Sequence, residues 1–111
     1  MIRQPQARAD YRSFLPRIFI DSPAWGETIT SPATVTGLAN VFEGQFSVEI
    51  RDASGHVVVR RAAHAAMGHY ASFRVSLPFA AKAGAGKVIG FDRSAKNGAR
   101  VDVNTVPVTL G

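Results

Sequence analysis

The stretch Val41-Phe-Glu-Gly-Gln-Phe-Ser-Val-Glu-Ile-Arg-Asp-Ala-Ser-Gly-His-Val-Val-Val-Arg-Arg61 decides the fold of this chain. Its apolar side chains at Phe46, Val48 and Ile50 recur at every second residue, which places them on one face of an extended strand. Residues 52–55 then supply an aspartate that can bond to its own backbone and a glycine that can adopt positive φ. Apolar alternation resumes after this turn, so the stretch predicts a β-hairpin.

Length and composition limit the class of protein. With 111 residues, the chain has the length of one domain that buries a core without metal or disulfide support. The absence of cysteine excludes disulfides, thiolate metal sites and cysteine nucleophiles. A net charge of +5 favours anionic partners such as phosphate-rich polymers or membrane surfaces. No segment reaches the roughly 18 apolar residues that span a bilayer, and no signal peptide is recognised.

The chain divides into a polar N-terminal segment and one β-rich domain. Residues 1–16 hold scattered basic and apolar groups and are predicted to be a flexible tail or linker. From residue 17 to 111, short apolar runs are separated by turn residues about every 8 to 12 positions. This pattern predicts an all-β fold, an antiparallel β-sandwich of about seven strands. A barrel gives the same signals and is the alternative.

Two local features carry further structural expectations. The small residues Gly37 and Ala39 lie on one face of a predicted strand and indicate close packing against a bulky neighbour, Trp25 or Phe42. In the last strand, the apolar alternation shifts phase between its first and second halves. This shift predicts a β-bulge near residues 104–105.

Six groups of short motifs resemble, in this order, the Gmad2 domain, an immunoglobulin-like domain first described from bacterial spore-germination proteins. They are Ile18-Phe-Ile-Asp-Ser-Pro23, Ser31-Pro32 followed by Val35-Thr-Gly37, Val41-Phe-Glu-Gly44, Asp52-Ala-Ser-Gly55, Ser94-Ala-Lys-Asn-Gly98 and Val106-Pro-Val108. The resemblance implies an immunoglobulin-like sandwich that acts as an accessory module of extracytoplasmic envelope or secreted bacterial proteins. It brings no known catalytic residues, and a role in spore germination is among those it allows.

Motifs for catalysis, cofactors or metals are weak in this sequence. His56, His64 and His69 lie at turns or beside a connection, without the convergent spacing of zinc ligands. Glu43, Glu49 and Asp52 do not form the alternating loop that holds calcium. No serine lies in a Gly-x-Ser-x-Gly elbow, and the glycines at 83–87 lack phosphate-loop spacing. We therefore predict no catalytic residue, no cofactor and no metal site.

The basic residues are the broadest candidate for partner binding. Most of them occupy polar strand positions or loops and are expected to be exposed; the candidate contacts are Arg60, Arg61, Arg93 and Lys96. Nucleic-acid modules usually pair such groups with aromatic stacking platforms. Here Phe46, Phe73 and Phe91 follow core phases, so no specific nucleic acid is expected and a solvated charged surface is the plainer interpretation.

Two other residues are candidate contacts. Trp25, in a Pro-Ala-Trp-Gly loop, is interpreted as a lid over the core, with an exposed anchor for a partner as the alternative. Glu43 is interpreted as a carboxylate that accepts bonds from turn amides, with partner recognition as the alternative. The sequence thus predicts a non-catalytic binding or structural module for an unidentified protein or envelope polymer. The alternative function is an anionic-polymer or nucleic-acid binding domain.

Overall fold

The computed structural model describes residues 16–41, 44–66, 68–94 and 96–111. Its strands are β1 (Ile18–Ser22), β2 (Thr28–Ile29), β3 (Ala33–Ala39), β4 (Gln45–Arg51), β5 (Val57–His64), β6 (Ala71–Leu77), β7 (Gly84–Arg93) and β8 (Arg100–Leu110). They form a three-stranded sheet in the order β1-β3-β6 and a five-stranded sheet in the order β2-β8-β7-β4-β5. The predicted all-β sandwich is confirmed, with eight described strands against the expected seven or so.

The parts of the chain predicted to lie outside the domain are only partly described. Residues 1–15 of the predicted tail lie outside the described residues, so the tail stays a prediction. None of the described residues belongs to a helix with the length and hydropathy needed to cross a membrane.

The predicted β4–β5 hairpin is confirmed, and its turn is built as the sequence suggests. Asp52 Oδ1 accepts hydrogen bonds from the backbone N–H groups of Ser54 and His56, each at 3.0 Å. Gly55 takes the positive φ of 89° that favours glycine. The Ser54 hydroxyl and the His56 amide that donate to Asp52 lower the pKa of its carboxyl group.

The core lies between the two sheets and follows the alternation read from the sequence. Phe46, Val48 and Ile50 are at most 3% exposed. Phe46 meets Phe73 of the smaller sheet edge to face, with ring centroids 4.9 Å apart, so this pair joins the two layers. Because the inward positions of β4 fill the core, its intervening positions lie on the outer face of the five-stranded sheet.

Gly37 lies at the centre of the smaller sheet, where it pairs with Ile20 and with Phe73. A Cβ atom at this position would overlap the carbonyl oxygen of Phe19 and lie 2.9 Å from the Phe73 ring. The predicted close packing at Gly37 is confirmed, and the bulky neighbour is Phe73. The proposal that Trp25 is this neighbour was wrong, because its side chain is exposed. Phe42, the other proposed neighbour, lies outside the described residues.

β8 contains the predicted bulge, slightly earlier than expected. Gly90 pairs with Asn104 whereas Asp92 pairs with Val101, so β8 carries one more residue than β7 between these pairs. Asp102, within this extra segment, has a φ of 55°. The bulge therefore lies at residues 102–103, and the prediction at 104–105 was displaced. Beyond it, the Asn104 side chain accepts a hydrogen bond from the Ile20 backbone N–H at 2.9 Å, which ties β8 to β1.

Replacing Asn104 by alanine is expected to lower the free energy of unfolding by about 1 to 2 kcal/mol, because the Ile20 N–H then lacks its acceptor. Urea denaturation monitored by tryptophan fluorescence and circular dichroism measures this change. Thr105→Ala, at the exposed neighbouring position, is the control and should change stability by less than about 0.5 kcal/mol. Equal stability of the Asn104 variant and the wild type would contradict a structural role for this bond.

Candidate functional site

The outer face of the five-stranded sheet carries an ordered row of polar and charged side chains. On β4 the outward positions are Ser47, Glu49 and Arg51, between residues that fill the core. The strand register places Arg60 of β5 on one side of Glu49 and Ile89 of β7 on the other. Glu49 therefore lies between β5 and β7 on the outer face, one strand from the β5 edge of the sheet.

Glu49 is 0% exposed although it lies on this outer face. Three arginines cover it: Arg51 Nε donates to Oε2 at 2.6 Å and Arg60 Nε donates to Oε1 at 2.9 Å. Arg100 makes a two-pronged contact, with its Nη1 and Nη2 atoms 3.0 and 3.3 Å from the two carboxylate oxygens. The arginines come from β4, β5 and β8, so one carboxylate holds three strands together through charge-assisted hydrogen bonds.

The pKa of Glu49 reflects two opposing effects. Burial alone raises it, but the hydrogen bonds from Arg100, Arg51 and Arg60 outweigh burial and lower the pKa from 4.5 to about 2. Glu49 is therefore an anion at neutral pH and at moderately acidic pH.

Phe91 forms the floor of this site. Its ring is 0% exposed, and the guanidinium carbon of Arg100 lies 3.9 Å from the ring centroid. Arg93 and Arg60 lie at 5.3 and 5.9 Å from the same centroid, within cation–π range. The prediction that Phe91 is buried is confirmed, but the ring lies on the outer face of the sheet, where Phe91 pairs with Ser47, and not in the cluster between the two sheets. Long arginine side chains bury the ring in place of the opposing sheet.

We call Arg51, Arg60, Arg93 and Arg100, together with Glu49 and Phe91, the arginine cluster. Arg93 differs from the other cations, because its Nη1 donates to the Gly98 carbonyl at 3.1 Å and it has no carboxylate partner among the described residues.

Two aspartates near the arginine cluster, Asp92 and Asp102, line the same open groove as Arg93. The carboxylate of Asp92 accepts the backbone N–H of Arg93 at 2.8 Å. In the described part of the chain, neither Asp92 nor Asp102 forms an ion pair. Three of the four cations thus share one paired anion, Glu49, and Arg93 has no ion-pair partner among the residues that the structure describes.

The predicted contact residues have separate positions. Arg60 and Arg93 meet over Phe91, as described. Arg61 follows Arg60 on β5 and points to the opposite face of the strand, and Lys96 lies exposed in the turn after β7. Glu43 lies outside the described residues, so its predicted role in a turn stays a prediction. Only two of these candidates therefore belong to the arginine cluster.

Trp25 is 77% exposed, and its interpretation as a lid over the core was wrong. Its turn is held in place, since the Ala24 N–H donates to Glu27 Oε1 and the Gly26 N–H donates to the Pro107 carbonyl, each at 2.8 Å. The first bond closes the turn on itself and the second fastens it to β8, while the indole lies outside. The alternative interpretation, an exposed aromatic group available to a partner, agrees with this geometry.

Sequence reasoning missed Glu49, Arg51 and Arg100 as site residues. Within the hairpin a signal existed: the predicted register brings Arg60 opposite Glu49 on the outer face. Arg100 gave no local signal, because 51 residues separate it from Glu49. Across the described ranges, no group of three or more His, Asp or Glu side chains is arranged to hold a metal ion.

Comparisons with known proteins agree on the fold. The family model Gmad2, described as the immunoglobulin-like domain of bacterial spore germination, matches residues 17–99. Among solved structures, CopC from Methylosinus trichosporium OB3b is similar with a TM-score of 0.53 and 20% sequence identity. That match covers 84% of this chain and 92% of CopC, and at this identity it shows the fold alone. The comparison with curated proteins gives no significant match.

Proposed function

The chain belongs to the Gmad2 family of immunoglobulin-like domains, and from this premise we propose that it is a non-catalytic accessory module that binds an anionic polymer of the bacterial envelope. The arginine cluster is the observation that carries the proposal. Its location in an envelope or secreted protein is supported by the family, whose description concerns bacterial spore germination.

The arginine cluster suits an anionic partner because its cations are already held in position. Arg51, Arg60 and Arg100 are fixed by Glu49, and their side chains remain 31%, 44% and 29% exposed. Binding therefore costs little side-chain entropy, since the guanidinium groups are ordered before the partner arrives. Guanidinium groups also match phosphate geometry better than lysine does.

A salt series tests this proposal. Binding of a glycerol-phosphate polymer to the chain should weaken steeply as NaCl rises, because cationic contacts release counterions from the polymer. Arg93→Ala should weaken binding several-fold. It should also reduce the steepness of the plot of log K against log[NaCl] by about 1, because one cationic contact with the polymer is lost. Arg74→Ala, an exposed arginine on β6 of the other sheet, is the matched control and should leave binding almost unchanged.

Two results would contradict the proposal. The first is no binding at low salt. The second is an equal loss from the Arg93 and Arg74 variants, because net charge alone would then explain binding.

The alternative, nucleic-acid binding, is favoured by the net charge of +5 and the exposed indole of Trp25. Phe91 disfavours it, because the ring is fully covered by arginine side chains and cannot stack with a base. Duplex DNA and the glycerol-phosphate polymer should therefore be compared at equal phosphate concentration. Tighter binding to DNA, together with its loss in Trp25→Ala, would replace the envelope proposal with the nucleic-acid function.

A further inference from the structure

We infer that the arginine cluster is a discrete site for one phosphate group, bound by Arg60, Arg93 and Arg100, with Glu49 as the residue that positions two of these guanidinium groups. The inference rests on the proposed function and makes it more specific. A diffuse basic surface attracts any polyanion, whereas this site recognises the phosphate group itself.

The first support is convergence. The guanidinium carbons of Arg60, Arg93 and Arg100 all lie within 5.9 Å of the centroid of one ring, Phe91. They arrive from β5, β7 and β8, so they approach a common point from different directions. Tetrahedral phosphate offers oxygens in several directions, whereas a carboxylate offers two oxygens in one plane.

The second support is a surplus of hydrogen-bond donors. An arginine side chain has five N–H groups. Among the described residues, Arg93 uses only Nη1, toward Gly98, and leaves Nε and Nη2 available. Arg60 uses Nε and Nη2 toward Glu49 and leaves Nη1 available. An oxyanion on the solvent side of the guanidinium groups that cover Phe91 would accept from these remaining groups.

The third support is the surrounding surface. Ser47, Phe91 and Arg93 line part of an open groove beside Arg60 and Arg100, which are not among its lining residues. Asp92 and Asp102 also line this groove, so a phosphate would bind at its Ser47 and Arg93 side, where Ser47 lies beside Phe91 in the strand register. The serine hydroxyl can donate to a phosphate oxygen in this groove. The groove is open to solvent, which suits a phosphate that belongs to a larger molecule.

Glu49 has a positioning role in this site. Its two oxygens orient Arg60 and Arg100, and it compensates only part of the positive charge around it. Without this carboxylate, repulsion between the guanidinium groups would favour separated rotamers. Glu49 therefore lets several cations stay close together and still leaves them a net attraction for an anion.

NMR titration of the isotopically labelled chain with inorganic phosphate, at constant ionic strength set with NaCl, tests the inference. Saturable shifts are expected for the Nε–H signals of Arg93 and Arg100 and for the Phe91 ring, with a dissociation constant in the millimolar range. Arg93→Lys keeps the charge but loses the planar donor pair, and it should weaken binding at least about fivefold. Arg74→Lys, on the other sheet, should leave the titration unchanged.

Competing ligands identify the source of the phosphate. Displacement of inorganic phosphate by a glycerol-phosphate polymer would support the site with a wall polymer as its ligand. Displacement only by vesicles that contain phosphatidylglycerol would support the same chemistry with a lipid headgroup.

The outcomes separate this inference from the proposed function. If the polymer binds with the Arg93 dependence described above but inorganic phosphate gives linear, non-saturating shifts, the discrete site is wrong and the binding function stands. If phosphate binds saturably but the Arg93→Lys and Arg74→Lys variants behave alike, the site lies elsewhere and this assignment is overturned. If neither ligand binds, both proposals fail.

Discussion

Glu49→Gln is expected to lower the free energy of unfolding by about 3 to 5 kcal/mol, which is a large part of the stability of a domain this size. Glutamine keeps the shape of the side chain but removes the charge, and its amide nitrogen faces arginine donors. Arg51, Arg60 and Arg100 would then be left close together without their shared anion. Chemical denaturation of the wild type and the variant measures the difference.

Glu27→Gln is the matched control, because it makes the same chemical change at an exposed carboxylate in the Trp25 turn. Glutamine can still accept the Ala24 N–H there through its Oε1 atom, so the expected change is below about 0.5 kcal/mol. Equal effects of the two substitutions would show that the buried ion cluster contributes nothing specific to stability.

The same cluster gives the wild type a defined acid sensitivity. The folded pKa of Glu49, about 2, lies below its unfolded value of 4.5, so the stabilisation is present above pH 4.5 and is lost as pH falls toward 2. The difference corresponds to about 3 kcal/mol. The free energy of unfolding of Glu49→Gln should therefore fall less between pH 4.5 and 2 than that of the wild type. If both proteins lost the same amount, other carboxylates would cause the acid sensitivity.

Structural features that depend on a few neighbouring residues could be predicted from the sequence. The alternation of Phe46, Val48 and Ile50 predicted which face of β4 is buried, and residues 52–55 predicted the turn of the hairpin. Both signals act over a few residues, because a strand has a side-chain period of two and a turn needs particular φ angles. Such features can be predicted without knowledge of the sheet order.

The arginine cluster could not be predicted in the same way. β7 is the central strand of the five-stranded sheet and has buried apolar residues on both faces, but the core phase of Phe91 did not show what covers its ring. The cover comes from Arg100, whose position depends on the β7–β8 pairing and on the bulge at residues 102–103. For Trp25 the error had the opposite sign: a large aromatic residue was expected to cover the core and is exposed. The hydrogen bond from Gly26 to Pro107 that places its loop joins residues far apart in the sequence, so it could not be predicted.

Stability and binding are coupled in the arginine cluster. Glu49 contributes to folding because its charge is paired, and the same pairing holds Arg60 and Arg100 near Arg93. Glu49→Gln should therefore also weaken phosphate binding under conditions where the variant remains folded. Arg93→Lys separates the two effects, because Arg93 forms no hydrogen bond or ion pair with Glu49. The variant should lower binding far more than stability, since it loses only the bond to the Gly98 carbonyl and part of the cover over Phe91.

Gly37→Ala is expected to lower the free energy of unfolding by about 3 kcal/mol, the upper range for overpacking a core. The added methyl group meets the Phe19 carbonyl and the Phe73 ring, so β1 must move away from β3. Gly68→Ala is the comparison: its φ is 85° but nothing lies within 4 Å of the new Cβ, so only backbone strain of about 1 kcal/mol is expected.

Hydrogen exchange distinguishes the cause of the Gly37 effect. Displacement of β1 should remove the protection of β1 amides while amides of the β4–β5 hairpin keep theirs, because the hairpin belongs to the other sheet. The Gly68 variant should keep both sets protected. If Gly37→Ala were no more destabilising than Gly68→Ala, the close approach of β1 and β3 would not limit this position, and glycine there would require another explanation.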